Sequence, residues 1–161
     1  MLWPLFAVAA MLAALGLAAG LKERQAPLAP ALVSDAMAAN MLVYDRAAAE
    51  FAKANAGVSG LIDSSLLGLR PSYQNVGGWQ SRVLNDRMMT YQTTPTRFSP
   101  DIAYALTRYS HGQLLAGVAQ STPTCQLLIH PFGECVSDAD FLALSVSAGI
   151  TAGPVVFRKL R

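Results

Sequence analysis

Charge is scarce in this sequence: Asp, Glu, Lys and Arg make up 14% of its 161 residues, against about 25% in an ordinary soluble domain. The shortage is local, since nothing charged precedes Lys22. The 12 Lys and Arg exceed the 10 Asp and Glu by two, and no basic run stands behind that surplus. There is thus no electrostatic case for nucleic acid, whose phosphates call for a clustered basic face. Histidine and cysteine are rare as well, at two residues each. No HExxH and no Cys-x-x-Cys pair occurs, so zinc has no ligand set. No GxxxxGK[ST] or GxGxxG loop is present to cradle phosphates. Gly57-Val58-Ser59-Gly60 comes nearest to a GxSxG nucleophile elbow and misses its spacing. Disorder is excluded from the other side, because 53% of the chain is hydrophobic.

The few chemistry-bearing residues read as structural. His111 falls at a helix end before Gly112, where an imidazolium complements the helix dipole. His130 precedes Pro131 in a turn. Cys125 or Cys135 with His130 and Glu134 would make a catalytic group from one short stretch, and it lacks an orienting third partner. The carboxylates are scattered, so no glycosidase-like pair can be picked out. The expectation is a non-enzymatic chain with no cofactor and no metal.

What is present begins at the N-terminus. From Met1 to Leu21, 18 of 21 residues are Ala, Val, Leu, Met, Phe or Trp. A helix of that length spans about 31 Å, close to a bilayer's hydrocarbon core of roughly 30 Å. Trp3 suits an interfacial position and Pro4 a first helical turn. A signal peptide cleaved at Ala18-Ala19-Gly20 is the competing reading, but the stretch is long for one and has no basic n-region. Residues 1–22 therefore read as a transmembrane anchor and 23–31, with Pro27 and Pro30, as a linker that stops the anchor helix. Ala9, Ala13, Gly16 and Gly20 line one helix face, and Gly16 with Gly20 forms a GxxxG pair that could let membrane helices associate.

Residues 32–161 read as one α+β domain. Val33, Met37, Met41, Tyr44, Ala48 and Phe51 recur at helical spacing, predicting an amphipathic helix over 32–56 with Asp35, Asp45, Arg46, Glu50 and Lys53 largely elsewhere on the wheel. Trp79 to Thr93 alternates like a hairpin, with Asn85-Asp86 as its turn. Ser99-Pro100-Asp101 opens a second helix whose inward residues are Ile102, Ala105, Leu106 and Tyr109. Runs at 113–119 and 126–129 read as strands, Ser137-Asp138 as the cap of a short helix through Leu144, and Val155-Val156-Phe157 as a final strand before a basic tail. This order predicts a small antiparallel sheet with helices, and a ferredoxin-like arrangement fits it.

Cys125 and Cys135 bracket a bend containing Pro131 and Gly133. Strand-edge positions joined across such a turn can meet disulfide geometry. A disulfide persists in an oxidising compartment such as the periplasm. That outweighs a positive-inside count on Lys22 and Arg24, since long domains translocate largely regardless of charge.

The anchor, the helix with Met41-Leu42-Val43-Tyr44, the Trp79 hairpin and the C-terminal Gly153-Pro154-Val155-Val156 together resemble the PilM family of type IVB (thin) pilus systems of conjugative plasmids. The resemblance implies a single-pass inner-membrane protein of the pilus basal body or pilin-transport apparatus, with no active-site residues. Its partners would be other pilus-assembly membrane proteins or pilin, and a homo-oligomer is compatible with it. An actin-like cytoplasmic ATPase that carries the same name is far longer and has nucleotide loops. Prepilins carry a basic leader and an early glutamate, and neither is found here. A periplasmic enzyme acting on cell wall or pilin, and a membrane-anchored binding module of another secretion machine, are the alternatives.

Overall fold

The computed structural model describes residues 28–94, 99–110, 115–122, 125–129, 134–150 and 152–160. The anchor expected at 1–22, including Gly16 and Gly20, lies outside the described residues, as do His111, Gly112, His130 and Pro131. Among the described residues no helix is long and apolar enough to cross a membrane. The chain divides into two compact units, Met1–Val33 and Ser34–Arg161, and the second carries the fold.

Helix α1 runs from Leu28 to Ala54, so it starts inside the expected linker. Pro30 is the third residue of its first turn. The first N–H groups of a helix have no intrahelical acceptor, so a proline there removes nothing. The buried face of α1 is Ser34, Ala38, Met41, Asp45, Ala48 and Ala52, flanked by Tyr44 and Ala49. Its spacing of four and three is helical, but it is rotated from the expected stripe. Val33 is exposed and Phe51 only half-buried, whereas Asp45 is buried completely.

Seven strands form one antiparallel sheet: β1 (Gly60–Leu61), β2 (Trp79–Leu84), β3 (Arg87–Gln92), β4 (Leu115–Thr122), β5 (Cys125–Ile129), β6 (Glu134–Val136) and β7 (Ala152–Lys159). Their spatial order is β1-β2-β3-β7-β4-β5-β6. The five longer strands make the body, and β1 and β6 are short edges. A ferredoxin-like sheet leaves its last strand at an edge; here the last strand is the central one, so that expectation is corrected. β6 was not foreseen, and Arg158, expected in a tail, is part of β7.

Local chemistry explains the elements. Asn85 and Asp86 have φ of 50° and 58°, the left-handed pair that a two-residue hairpin turn requires. Helix α2 spans Ser99–Tyr109. It buries Ile102, Ala105 and Leu106, but leaves Tyr109 exposed. Helix α3 spans Ala139–Ala148, past the expected end at Leu144. Asp138 caps it by accepting from the Phe141 N–H, and Gly149 ends it at φ 67°.

The sheet is covered on both faces. One core joins α1 and α2 to the sheet through Met41, Trp79, Met88, Ile102 and Val156. The other joins α3 through Met89, Tyr91, Phe141, Leu144, Val155 and Phe157. Successive residues of β3 and β7 thus serve opposite cores, so Met88-Met89 and Val155-Val156-Phe157 are unbroken apolar runs. The Phe141 and Phe157 rings meet edge-on at 5.5 Å.

Candidate functional site

The segment between α1 and β2 is tied down around Trp79, which is 1% exposed. Its indole N–H donates to Asn40 Oδ1 at 2.7 Å, and Asn40 Nδ2 donates to the Gln74 carbonyl at 3.0 Å. The Tyr73 hydroxyl donates toward the same Asn40, 3.1 Å from Oδ1 and 3.2 Å from its carbonyl. Burial beside Tyr44 pushes the Tyr73 phenol up to about 12. One amide of α1 therefore fixes both the loop and the hairpin. Gly77 permits this, because a Cβ there would fall 2.0 Å from the indole ring.

Asn75 guards the sheet edge. Its Oδ1 accepts from the Trp79 N–H at 2.7 Å, and its Nδ2 donates to the Trp79 carbonyl at 2.9 Å. Those are the two bonds a partner strand would make, so the edge beyond β1 is closed to strand addition at that residue.

Beside this corner lies a cleft of about 410 Å³ lined by Tyr44, Ile62, Asp63, Asn75, Trp79 and Thr93, among others. Asp63 accepts from the Ser65 N–H at 2.9 Å and caps a 3₁₀ turn at Ser64–Leu66. That hydrogen bond lowers the Asp63 pKa, so the carboxylate stays ionised. Tyr44 is shifted the other way by burial, reinforced by Tyr91 and Asp63.

Under α1 a polar chain crosses the core. Ser81 and Thr90 face each other across the hairpin, with hydroxyls 2.7 Å apart. Thr90 donates to Asp45 Oδ1 at 2.8 Å, so its proton is committed and Ser81 donates to it. Arg158 closes the chain on Asp45 Oδ2. Burial pushes the Asp45 carboxyl up to about 6, against the downward pull of Arg158 and Thr90. Sequence reading placed Asp45 on the solvent side. The missed signal is that it continues the Ser34, Ala38, Met41 spacing, opposite two inward hydroxyls.

Of the residues singled out in the sequence, Cys125 and Cys135 are joined as a disulfide with Cα atoms 5.3 Å apart, linking β5 to β6. They lie at the far end of the sheet order from β1 and β2 and do not contribute to the cleft. The bridge closes a loop of about eleven residues, for which chain entropy predicts a loss of about 2.8 kcal/mol on opening. A Cys125→Ser, Cys135→Ser double variant should show that loss in urea unfolding, and non-reducing mass spectrometry of the native chain should find the two joined. Two thiols that alkylate without reduction would contradict it. Gly16 and Gly20 lie outside the described residues. Among the described residues no group of three His, Cys, Asp or Glu could hold a metal.

The family model PilM matches residues 7–157. No curated protein and no solved structure matches the chain. The match covers nearly the whole length and includes α1, the Trp79 corner and most of the sheet, and the chain belongs to the PilM family.

Proposed function

We propose that the chain is a non-enzymatic scaffold of a type IV pilus assembly apparatus of the thin, plasmid-conjugation kind. Residues 1–22 anchor it in the inner membrane, and its α+β domain stands in the periplasm. The observation that carries this reading is the family match over residues 7–157, which supports a part in pilus biogenesis. The Cys125–Cys135 bridge agrees with an oxidising compartment. The apolar, uncharged run from Met1 to Leu21 agrees with an anchor.

A scaffold works by holding partners, and within the domain α1 is fastened to the sheet by Asn40 and Asp45. Partners are other membrane proteins of the apparatus or pilin, and a second copy is compatible with the Gly16–Gly20 pair.

Topology is the first test. A reporter active only in the periplasm, fused after Arg161, should be active. Activity of a cytoplasm-only reporter in its place would overturn the reading. Crosslinking in membranes gives the second: replacing Gly16 and Gly20 with leucine should weaken capture of a neighbouring chain if that face is used, and unchanged capture would remove the anchor from the interface.

A further inference from the structure

The chain has five tyrosines. Tyr44 and Tyr91 are buried, and Tyr73 is tied to Asn40. The other two are exposed, and both belong to α2: Tyr104 is 47% and Tyr109 42% exposed. Between them stands Arg108. Its guanidinium lies 5.0 Å from the centre of the Tyr109 ring and pairs with Asp35 of α1 at 2.6 Å. Tyr104 and Arg108 are one helical turn apart and therefore neighbours on the surface of α2. The three side chains form one patch, and the Asp35 pair sets it beside the early turns of α1. We propose that this patch lies in the headgroup region of the bilayer that holds the anchor, so that the domain rests on the membrane through α2. The proposal depends on residues 1–22 being that anchor.

The tether argues for lipid as the occupant. Twelve residues lead from Lys22 to Ser34, a reach of at most about 43 Å when fully extended. Residues 28–33 are already helical in α1, which cuts the reach to about 30 Å. Asp35 is the next residue, and Arg108 is bonded to it. The patch is thus kept near the bilayer surface whatever path the tether takes.

The side chains suit that place. Tyrosine is enriched where a membrane meets water, with its ring at headgroup level and its hydroxyl wet. An arginine lays its stem along such a boundary and keeps its charged end outside. One Arg108 nitrogen is bonded to Asp35, and the other donors of the guanidinium can reach lipid phosphates. A partner protein is served less well. The two tyrosines expose roughly 200 Å² between them, against about 800 Å² on each side of a stable protein interface. A bilayer needs no such area, because the anchor already holds the domain beside it at high effective concentration.

The test places the isotopically labelled full chain in phosphatidylcholine nanodiscs that contain a lipid with a gadolinium chelate on its headgroup. Paramagnetic line broadening is read residue by residue. The amides of Tyr104, Arg108 and Tyr109 should broaden several-fold more than two controls. One is Lys53, about 27 Å farther along α1 than Asp35, and the other is Val146 on α3, against the opposite face of the sheet. A Tyr104→Ser, Tyr109→Ser double variant should lose most of the broadening at Arg108. Its Trp79 indole signal should stay in place, since neither tyrosine belongs to a core. Broadening at Leu21 and Lys22 without broadening at the patch would overturn the proposal and leave the anchor standing. No broadening at Leu21 and Lys22 would overturn the anchor, and the proposal with it. Equal broadening at the patch and at both controls, or undiminished broadening at Arg108 in the double variant, would also contradict it.

Discussion

Replacing Arg158 with methionine is expected to destabilise the domain by about 3–5 kcal/mol at pH 7.5, the usual loss when a buried ion pair forfeits one partner. Asp45 has no exposure, and its remaining bond would be the Thr90 hydroxyl. The same carboxyl makes the effect depend on pH. Burial raises it from 3.8 to about 6. Its folded value lies above its unfolded value, so its contribution is fully present below about pH 4 and is lost as pH rises through about 6. A shift of that size is worth up to about 3 kcal/mol. Stability owed to this group should therefore be greater at pH 5 than at pH 7.5. Arg158→Met removes a neighbour that holds the carboxyl down, so the titration should move higher. At pH 5 the variant's deficit should shrink, because a protonated Asp45 needs no counter-ion. Urea unfolding of both proteins at the two pH values checks this, and equal deficits would show that Arg158 acts through packing alone.

Trp79→Ala should cost about 3–5 kcal/mol, the range for deleting a buried aromatic side chain. The indole is 1% exposed, and the change also removes the shorter of the two bonds to Asn40 Oδ1, leaving it the Tyr73 hydroxyl. The cleft next to it should lose shape, because the ring is part of its wall, while the Asn75 bonds to the backbone of residue 79 remain available. A fall in melting temperature shared by near- and far-ultraviolet signals is expected. A loss below 1 kcal/mol would mean that the loop over α1 is held by other contacts.

Where the sequence could be read, the signal was short in range. Asn85-Asp86 tolerates positive φ, Asp138 caps, and Val155-Val156-Phe157 can only be a strand buried on both faces. The Cys125–Cys135 bridge was legible for the same reason, as the two cysteines are only ten positions apart and bracket Pro131 and Gly133 in the sequence. What was hidden is made by residues distant in the chain. Asp45 looked like a solvent residue because its partners, Thr90 and Arg158, are 45 and 113 positions away. The central place of β7 depends on pairings with β3 and β4 that no local pattern encodes. The cleft combines Tyr44 of α1, Asp63 of a turn and Thr93 after the hairpin. None of these carries a motif, so only the fold brings them together.

The central claim is that this chain acts in building a pilus. Deleting its gene in a piliated strain, with pilin synthesis followed alongside, tests that most directly. Surface pili counted by electron microscopy should disappear while pilin is still made, and a plasmid-borne copy of the full chain should restore them. Pili of normal number and length in the deletion strain would contradict the account.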